Sequence, residues 1–169
     1  YMAISGGTMA NLNGAGFEKH VITHLEHKGL TKISTKLINN TSKSILNTKF
    51  PNGVYAKGHN KYTSIYGNPR CHSEYLVYIN EKIHFRLECK WQQYSGSTHE
   101  KIPYFYLNFI EGKFPEPLTV FVYGGEKMNE PAKWLKTAWK DRLYVKKGFN
   151  KELKILTLDE FMSWSNKEF

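Results

Sequence analysis

The segment from residue 84 to residue 92 alternates between two kinds of side chain. Positions 85, 87, 89 and 91 are Phe, Leu, Cys and Trp, whereas positions 84, 86, 88, 90 and 92 are His, Arg, Glu, Lys and Gln. Because successive side chains of a β-strand point to opposite faces of its sheet, this period of two predicts a strand with one core face and one polar face. The polar face is either a solvated surface or a functional site.

Other segments extend this strand into a fold. Residues 74–79 suit a second strand, which the turn-like sequence Asn-Glu-Lys joins to residues 83–91 as a hairpin. Helical spacing predicts a first helix over 15–28, followed by Gly29 at its C-cap. Residues 118–123 predict a buried strand, Pro131 opens a helix, and residues 153–156 suit a short edge strand. Thr157 and Glu160 have the spacing of a capping box before a last helix.

This order of elements predicts an α/β fold, with a mixed central sheet flanked by helices in a single domain. The chain of 169 residues is long enough for such a core and has neither an internal repeat nor a dividing linker. The region between residues 30 and 69, rich in Asn, Lys, Ser, Thr and Gly, predicts loops and short strands. We expect residues 1–12 to be a flexible N-terminal tail or a vector-derived remnant and residues 13–169 to form the domain.

The net charge of the chain indicates which class of partner it binds. Lys and Arg number 24 against 15 Asp and Glu, which gives a net charge of +9. Such a balance favours a polyanion, with nucleic acid first, although a basic protein without that function has the same composition. Two cysteines form neither a disulfide framework nor a metal-ligand set, and no apolar run reaches membrane-spanning length. We therefore expect a cytoplasmic setting and no membrane partner.

The tripeptide Glu-x-Lys is weak evidence by itself, because it begins at four positions, residues 26, 88, 111 and 152. Only the copy formed by Glu88 and Lys90 lies within a strongly alternating strand and is preceded by an acid, Glu74, on a neighbouring strand. If the hairpin arms pair, Glu74 and Glu88 converge on a divalent cation, since hard oxygen ligands suit Mg²⁺ or Mn²⁺. Lys90 would orient an attacking water and stabilise the negative charge that develops on a phosphate.

Ser73-Glu74, followed by Glu-Cys-Lys-Trp-Gln-Gln at 88–93, resembles the PD-(D/E)XK nuclease superfamily. The run 95–103, Ser-Gly-Ser-Thr-His-Glu-Lys-Ile-Pro, is similar to a stretch of its phage-type and restriction-type members. The resemblance departs from the pattern where Ser-Glu stands for Pro-Asp, although a longer carboxylate can still reach an ion. The resemblance implies a restriction-endonuclease-like central sheet. It also implies metal ligands at Glu74 and Glu88, a catalytic lysine at Lys90, an auxiliary active-site residue at Gln92 and an acid near the metal at Glu18.

Several further residues are candidate DNA contacts. In the run after the hairpin, Ser97 and Glu100 form either an S-x-x-E capping box for the next helix or part of a phosphate-binding helix start. Tyrosines at 55, 62 and 66, interleaved with basic residues, form either a stacking surface or anchors of a loop. The full predicted set is Ser95, Ser97, Lys101, Lys57, Lys61 and Arg86.

These observations predict a Mg²⁺-dependent deoxyribonuclease, an endonuclease that cuts or nicks duplex DNA, with Mn²⁺ as a substitute ion. The alternative is a non-catalytic or structure-selective nucleic-acid-binding module on the same fold. A third hypothesis is a basic domain that recognises an acidic protein. Cutting both strands favours a homodimer with two-fold symmetry. The resemblance to phage-type members implies a phage or mobile-element origin, and the form of the DNA substrate stays open.

Overall fold

The computed structural model describes residues 6–58, 61–80, 83–94, 97 and 99–169. Its helices, in chain order, are α1 Gly6–His27, α2 Thr35–Asn40, α3 Lys43–Lys49, α4 Lys101–Ile110, α5 Asn129–Lys140 and α6 Leu158–Glu168. Its strands are β1 Thr31–Lys32, β2 Val54–Lys57, β3 Tyr75–Ile79, β4 Ile83–Trp91, β5 Leu118–Gly124 and β6 Glu152–Thr157. Among the described helices, none has both the length and the apolar character needed to cross a membrane.

The strands form one mixed sheet in the order β1-β2-β3-β4-β5-β6. β3 pairs antiparallel with both β2 and β4, whereas β4, β5 and β6 run parallel to one another. The predicted hairpin, the buried strand at 118–123 and the edge position of β6 are confirmed. Because parallel neighbours need crossover connections, α4 joins β4 to β5 and α5 joins β5 to β6.

Helices cover the two faces of the sheet and enclose two cores. On one face α1 and α6 pack against the apolar side of β4, with Val21, Phe85, Leu87 and Phe161 fully buried. On the other face α4 and α5 pack against the side chains that alternate with these on β5 and β6. The apolar face of β4 is thus the core face that the alternation predicts, and the polar face of β4 turns toward α4 and α5.

The structure adds detail at the N-terminal side. α1 begins at Gly6, earlier than the predicted position 15. Its C-terminal end has the predicted cap, since Gly29 has a φ of 85° and the Leu30 amide donates to the Leu25 carbonyl at 3.1 Å. The domain boundary at residue 13 stays a prediction. The predicted loop region contains α2 and α3, which begin at the N-caps Ser34 and Ser42.

The predicted capping box of Ser97 and Glu100 is wrong. α4 begins at Lys101, and its N-cap Glu100 makes no side-chain capping hydrogen bond. Pro103 explains this start, because proline has no N–H and is tolerated in the first turn of a helix but not further inside. A helix that began after Ser97 would carry Pro103 in its interior.

The predicted capping box at the start of α6 is confirmed, and its effect on stability can be measured. The Glu160 amide donates to the Thr157 hydroxyl at 3.2 Å, and the Thr157 amide donates to the Glu160 carboxylate at 2.8 Å. We expect Thr157→Ala to lower the free energy of unfolding by about 1 kcal/mol, measured by urea denaturation. Ser163→Ala, at an exposed position in the same helix, is the control and should not destabilise the protein.

Candidate active site

The β3–β4 pairing brings two glutamates together. Tyr75 lies opposite Leu87, so Glu74, just before β3, comes next to Glu88. The Glu74 amide donates to a Glu88 carboxylate oxygen at 3.3 Å, and the Cys89 amide donates to a Glu74 carboxylate oxygen at 2.6 Å. These two hydrogen bonds continue the pairing of β3 and β4 beyond Tyr75, and the second of them fixes the position of the Glu74 side chain.

Lys90 points into the same cluster. Its ammonium group forms an ion pair with Glu74 and lies 3.5 Å from a carboxylate oxygen of Glu88. It also donates to the backbone carbonyl of Cys89 at 3.2 Å. The side chains of Glu74 and Lys90 are 30% and 22% exposed, whereas that of Glu88 is 8% exposed. The cluster is therefore buried at Glu88 and open to solvent at Glu74 and Lys90.

Burial and charge shift the pKa values of these groups. Burial, helped by the nearby charge of Glu88, raises the pKa of Glu74 although Lys90 opposes the shift. Burial also opposes the charged form of Lys90, but the carboxylates of Glu88 and Glu74 outweigh it and raise the pKa of Lys90. Lys90 is consequently a cation at neutral pH, whereas Glu74 holds its negative charge less firmly than an ordinary glutamate.

Arg86 holds the Glu88 side chain in place from the buried side of the cluster. Its guanidinium group lies 2.7 Å from a Glu88 carboxylate oxygen and donates to the His72 carbonyl at 3.2 Å. The guanidinium carbon lies 4.0 Å from the centre of the Phe114 ring and 4.9 Å from that of Tyr62. Within the described part of the chain, Nε and Nη1 of Arg86 have no hydrogen-bond partner, so the ring contacts are their main compensation for lost water.

The prediction that Arg86 contacts DNA is wrong. The residue is only 2% exposed, because the rings and Glu88 enclose it. Sequence reasoning missed its structural role, although a signal was present: Arg86 and Glu88 are two residues apart in a strand and so share a face.

Glu18 is held by a different set of partners. It accepts hydrogen bonds from the Tyr75 hydroxyl and, at 2.7 Å, from the Lys57 ammonium. Burial opposes its ionisation, but these hydrogen bonds and the charges of Lys57 and Lys90 leave the pKa of Glu18 below its usual value. Within the described residues, no three Glu, Asp, His or Cys side chains come together as a metal-binding group. The role of Glu18 near a metal stays a prediction.

Gln92 follows Lys90 on the same side of β4 and is buried. Its side-chain amide donates to the Tyr94 carbonyl at 2.9 Å. Its backbone accepts from the Lys127 amide and donates to the Gly124 carbonyl, both at 3.1 Å. These contacts join the end of β4 to the loop after β5, and the auxiliary role of Gln92 in the reaction stays a prediction.

The remaining predicted DNA contacts are exposed or lie outside the described residues. Ser95 belongs to the latter group. Ser97, Lys101 and Lys61 are exposed, and Lys57, with 60% of its side chain exposed, pairs with Glu18. Their contact with DNA stays a prediction.

The tyrosines considered with them differ in exposure. Tyr55 is buried and Tyr62 is half-buried, as the anchoring interpretation predicts. Tyr66 is 80% exposed and its ring stacks on that of Tyr104 at 5.1 Å. His59, part of the same predicted surface, lies outside the described residues.

A family model described as a PD-(D/E)XK nuclease superfamily domain matches residues 9–169. The chain belongs to this superfamily. The six-stranded mixed sheet with helices on both faces agrees with the restriction-endonuclease-like fold of PD-(D/E)XK nucleases. No curated protein and no solved structure matches the chain significantly. The family and fold expected from the sequence are confirmed, and the substrate and ion of this nuclease domain are matters of proposal.

The Arg86–Glu88 pair gives a stability prediction. We expect Arg86→Met and Glu88→Gln each to lower the free energy of unfolding by about 3 kcal/mol or more, because each leaves a buried charge without its partner. The double variant should lose less than the sum, with a coupling of about 1–3 kcal/mol in a double-mutant cycle by urea denaturation.

The ion pair between Lys146 and Glu111 is a matched control. Its atoms are also 2.7 Å apart, but 71% and 38% of the two side chains are exposed. The same cycle there should give a coupling below about 1 kcal/mol. Equal coupling energies for the two pairs would contradict the prediction.

Proposed function

We propose that this chain is a divalent-metal-dependent endonuclease that hydrolyses phosphodiester bonds in DNA. The observation that carries the proposal is the cluster of Glu74, Glu88 and Lys90, which combines two convergent carboxylates with a solvent-accessible cation. The membership of the chain in a nuclease superfamily and its charge of +9 support the same conclusion.

The donor set of the cluster fits a hard divalent cation. The Lys90 ammonium is surrounded by oxygens of Glu74, of Glu88 and of the Cys89 backbone. Oxygens that gather around an ammonium ion are of the type that Mg²⁺ and Mn²⁺ prefer. We propose Glu74 and Glu88 as the ligands of Mg²⁺, with Mn²⁺ as a substitute. When bound, the ion would offset the charge of the phosphodiester and favour deprotonation of the attacking water.

Each protein group has a distinct part in this proposal. Lys90 remains a cation because two carboxylates raise its pKa, so it donates hydrogen bonds to the attacking water and to the negative oxygens of the phosphate. Arg86 orients the Glu88 carboxylate from the buried side. Glu18 contributes a negative charge from α1, and Gln92 supports the end of β4 as an auxiliary residue.

DNA binding is proposed to rest on exposed lysines. Lys57, Lys61 and Lys101 are exposed and suit contacts with the phosphate backbone, to which Ser97 can add a hydrogen bond. Two-strand cutting would use a homodimer with one site per strand. The free thiols of Cys71 and Cys89 support a reducing, cytoplasmic setting.

Cleavage of supercoiled plasmid tests the proposal. We expect nicking or cutting that requires Mg²⁺ and stops with EDTA. Lys90→Ala should lower the rate by about 100-fold or more, because it removes the cation that stabilises negative charge in the transition state. No cleavage by the wild-type protein, or an unchanged rate in the variant, contradicts the proposal, and metal-independent binding without cleavage would instead favour the binding-module alternative.

Lys154→Ala is the matched control for this assay. Lys154 ends another Glu-x-Lys tripeptide, lies on a strand and pairs with Glu152 at 2.8 Å. Its substitution should leave the rate close to that of the wild type. A loss equal to that of Lys90→Ala would attribute the effect to general loss of positive charge.

The ligand assignment has its own test, calorimetric titration with Ca²⁺, an oxygen-seeking ion. We expect Glu74→Gln to weaken binding by about tenfold or more, because a neutral amide replaces a charged ligand. Glu18→Gln should weaken it less, since Glu18 acts from a site held by Tyr75 and Lys57. Glu111→Gln is the control, and equal affinity of Glu74→Gln and wild type would remove Glu74 from the ligand set.

A further inference from the structure

A cavity of about 610 Å³ lies on the α4/α5 side of the sheet, where β4 and β5 end. Its lining includes Gln92, Ile102, Lys127, Pro131 and Trp134. This volume is within the range of sites that hold small organic ligands. Of the residues proposed for hydrolysis, Gln92 alone belongs to this lining.

The walls of the cavity are held by backbone contacts. The Lys127 amide donates to the Gln92 carbonyl at 3.1 Å, and a Cβ on Gly125 would collide with that same carbonyl. Pro103 and Pro131 border the cavity from the first turns of α4 and α5. Since proline restricts its backbone, these two residues limit the movement of the walls.

The chemistry of the lining suits a planar ring with polar edges. Trp134 is 41% exposed, and an edge-to-face contact with the buried Tyr106, at 5.8 Å, holds its ring in place. Gln92, Glu130 and His99 supply both donors and acceptors, and Lys127 supplies a positive charge. A nucleobase has this combination of apolar faces and hydrogen-bonding edges, and its phosphate would be attracted by Lys127.

The cavity is also at a suitable distance from the cluster. It begins at Gln92, two residues beyond Lys90 on the same side of β4. Two residues of a strand span about 7 Å, so this end of the cavity is close to Lys90. A nucleotide beside the scissile phosphate can therefore reach the cavity.

We propose that this cavity binds one unpaired nucleobase next to the scissile phosphate, with its ring against Trp134. This inference rests on the proposed nuclease function and deepens it. A base that is stacked and paired within a duplex cannot enter such a cavity, so it must be single-stranded already or leave the stack. The site then prefers DNA with unpaired nucleotides, such as single strands, flaps or bulges, over uniform duplex.

Binding of short single-stranded DNA, measured by fluorescence anisotropy without divalent ions, tests the inference. The two probes are an oligothymidylate and an abasic strand of equal length and charge. The wild-type protein should bind the oligothymidylate more tightly by about tenfold, because a base stacked on an aromatic side chain adds affinity. Trp134→Leu should remove this preference and leave the affinity for the abasic strand unchanged.

Tyr144→Ala provides a matched control, since Tyr144 is 75% exposed and does not line the cavity. It should keep the preference for bases. Trp134→Phe retains a ring and should keep part of the preference, which separates stacking from misfolding if the leucine variant unfolds. Equal binding of the two strands by the wild type, or a preference that survives in both Trp134 variants, overturns the inference.

The outcomes separate this inference from the nuclease function itself. Lys90-dependent cleavage together with equal binding of the two strands leaves the nuclease in place and removes the cavity as a base site. Base-dependent binding that requires Trp134, in a protein that cleaves no DNA, supports the cavity as a base site and removes the nuclease.

Discussion

Arg86 and Glu88 share one face of β4, and their ion pair is almost completely removed from water. An isolated carboxylate at this depth would be strongly disfavoured, and so would an isolated guanidinium. The charge of each group compensates for the burial of the other, and the rings of Phe114 and Tyr62 cover the guanidinium group. The position of Glu88 in turn determines where Glu74 and Lys90 meet. The open, polar cluster therefore depends on a charge pair that lies beneath it in the core.

The charges of the cluster balance. The formal negative charges of Glu74 and Glu88 are offset by the formal positive charges of Lys90 and Arg86. A divalent ion would add two positive charges, and the negative charge of a phosphodiester would reduce this excess. Metal and DNA should consequently favour each other's binding, which is a form of linkage between two ligands of one site.

The sequence predicts the central part of the fold well, because local patterns specify it. Alternation in β4, the hairpin with β3 and the capping box at Thr157 are all visible within short segments and agree with the structure. The sequence does not predict that the polar face of β4 is buried, because the alternation of side chains is the same whether water or another layer of the protein covers that face. The residues that cover Arg86 come from distant segments, at Tyr62 and Phe114.

The parallel arrangement of β4, β5 and β6 places the charged cluster and part of the cavity lining on different kinds of element. Glu88 and Lys90 lie within a central strand, whereas Lys127 and His99 belong to the connections that follow β5 and β4. Insertions in those connections would change the lining of the cavity without altering the strand register. Changes in these two connections can therefore alter the cavity, while Glu88 and Lys90 stay on a rigid frame.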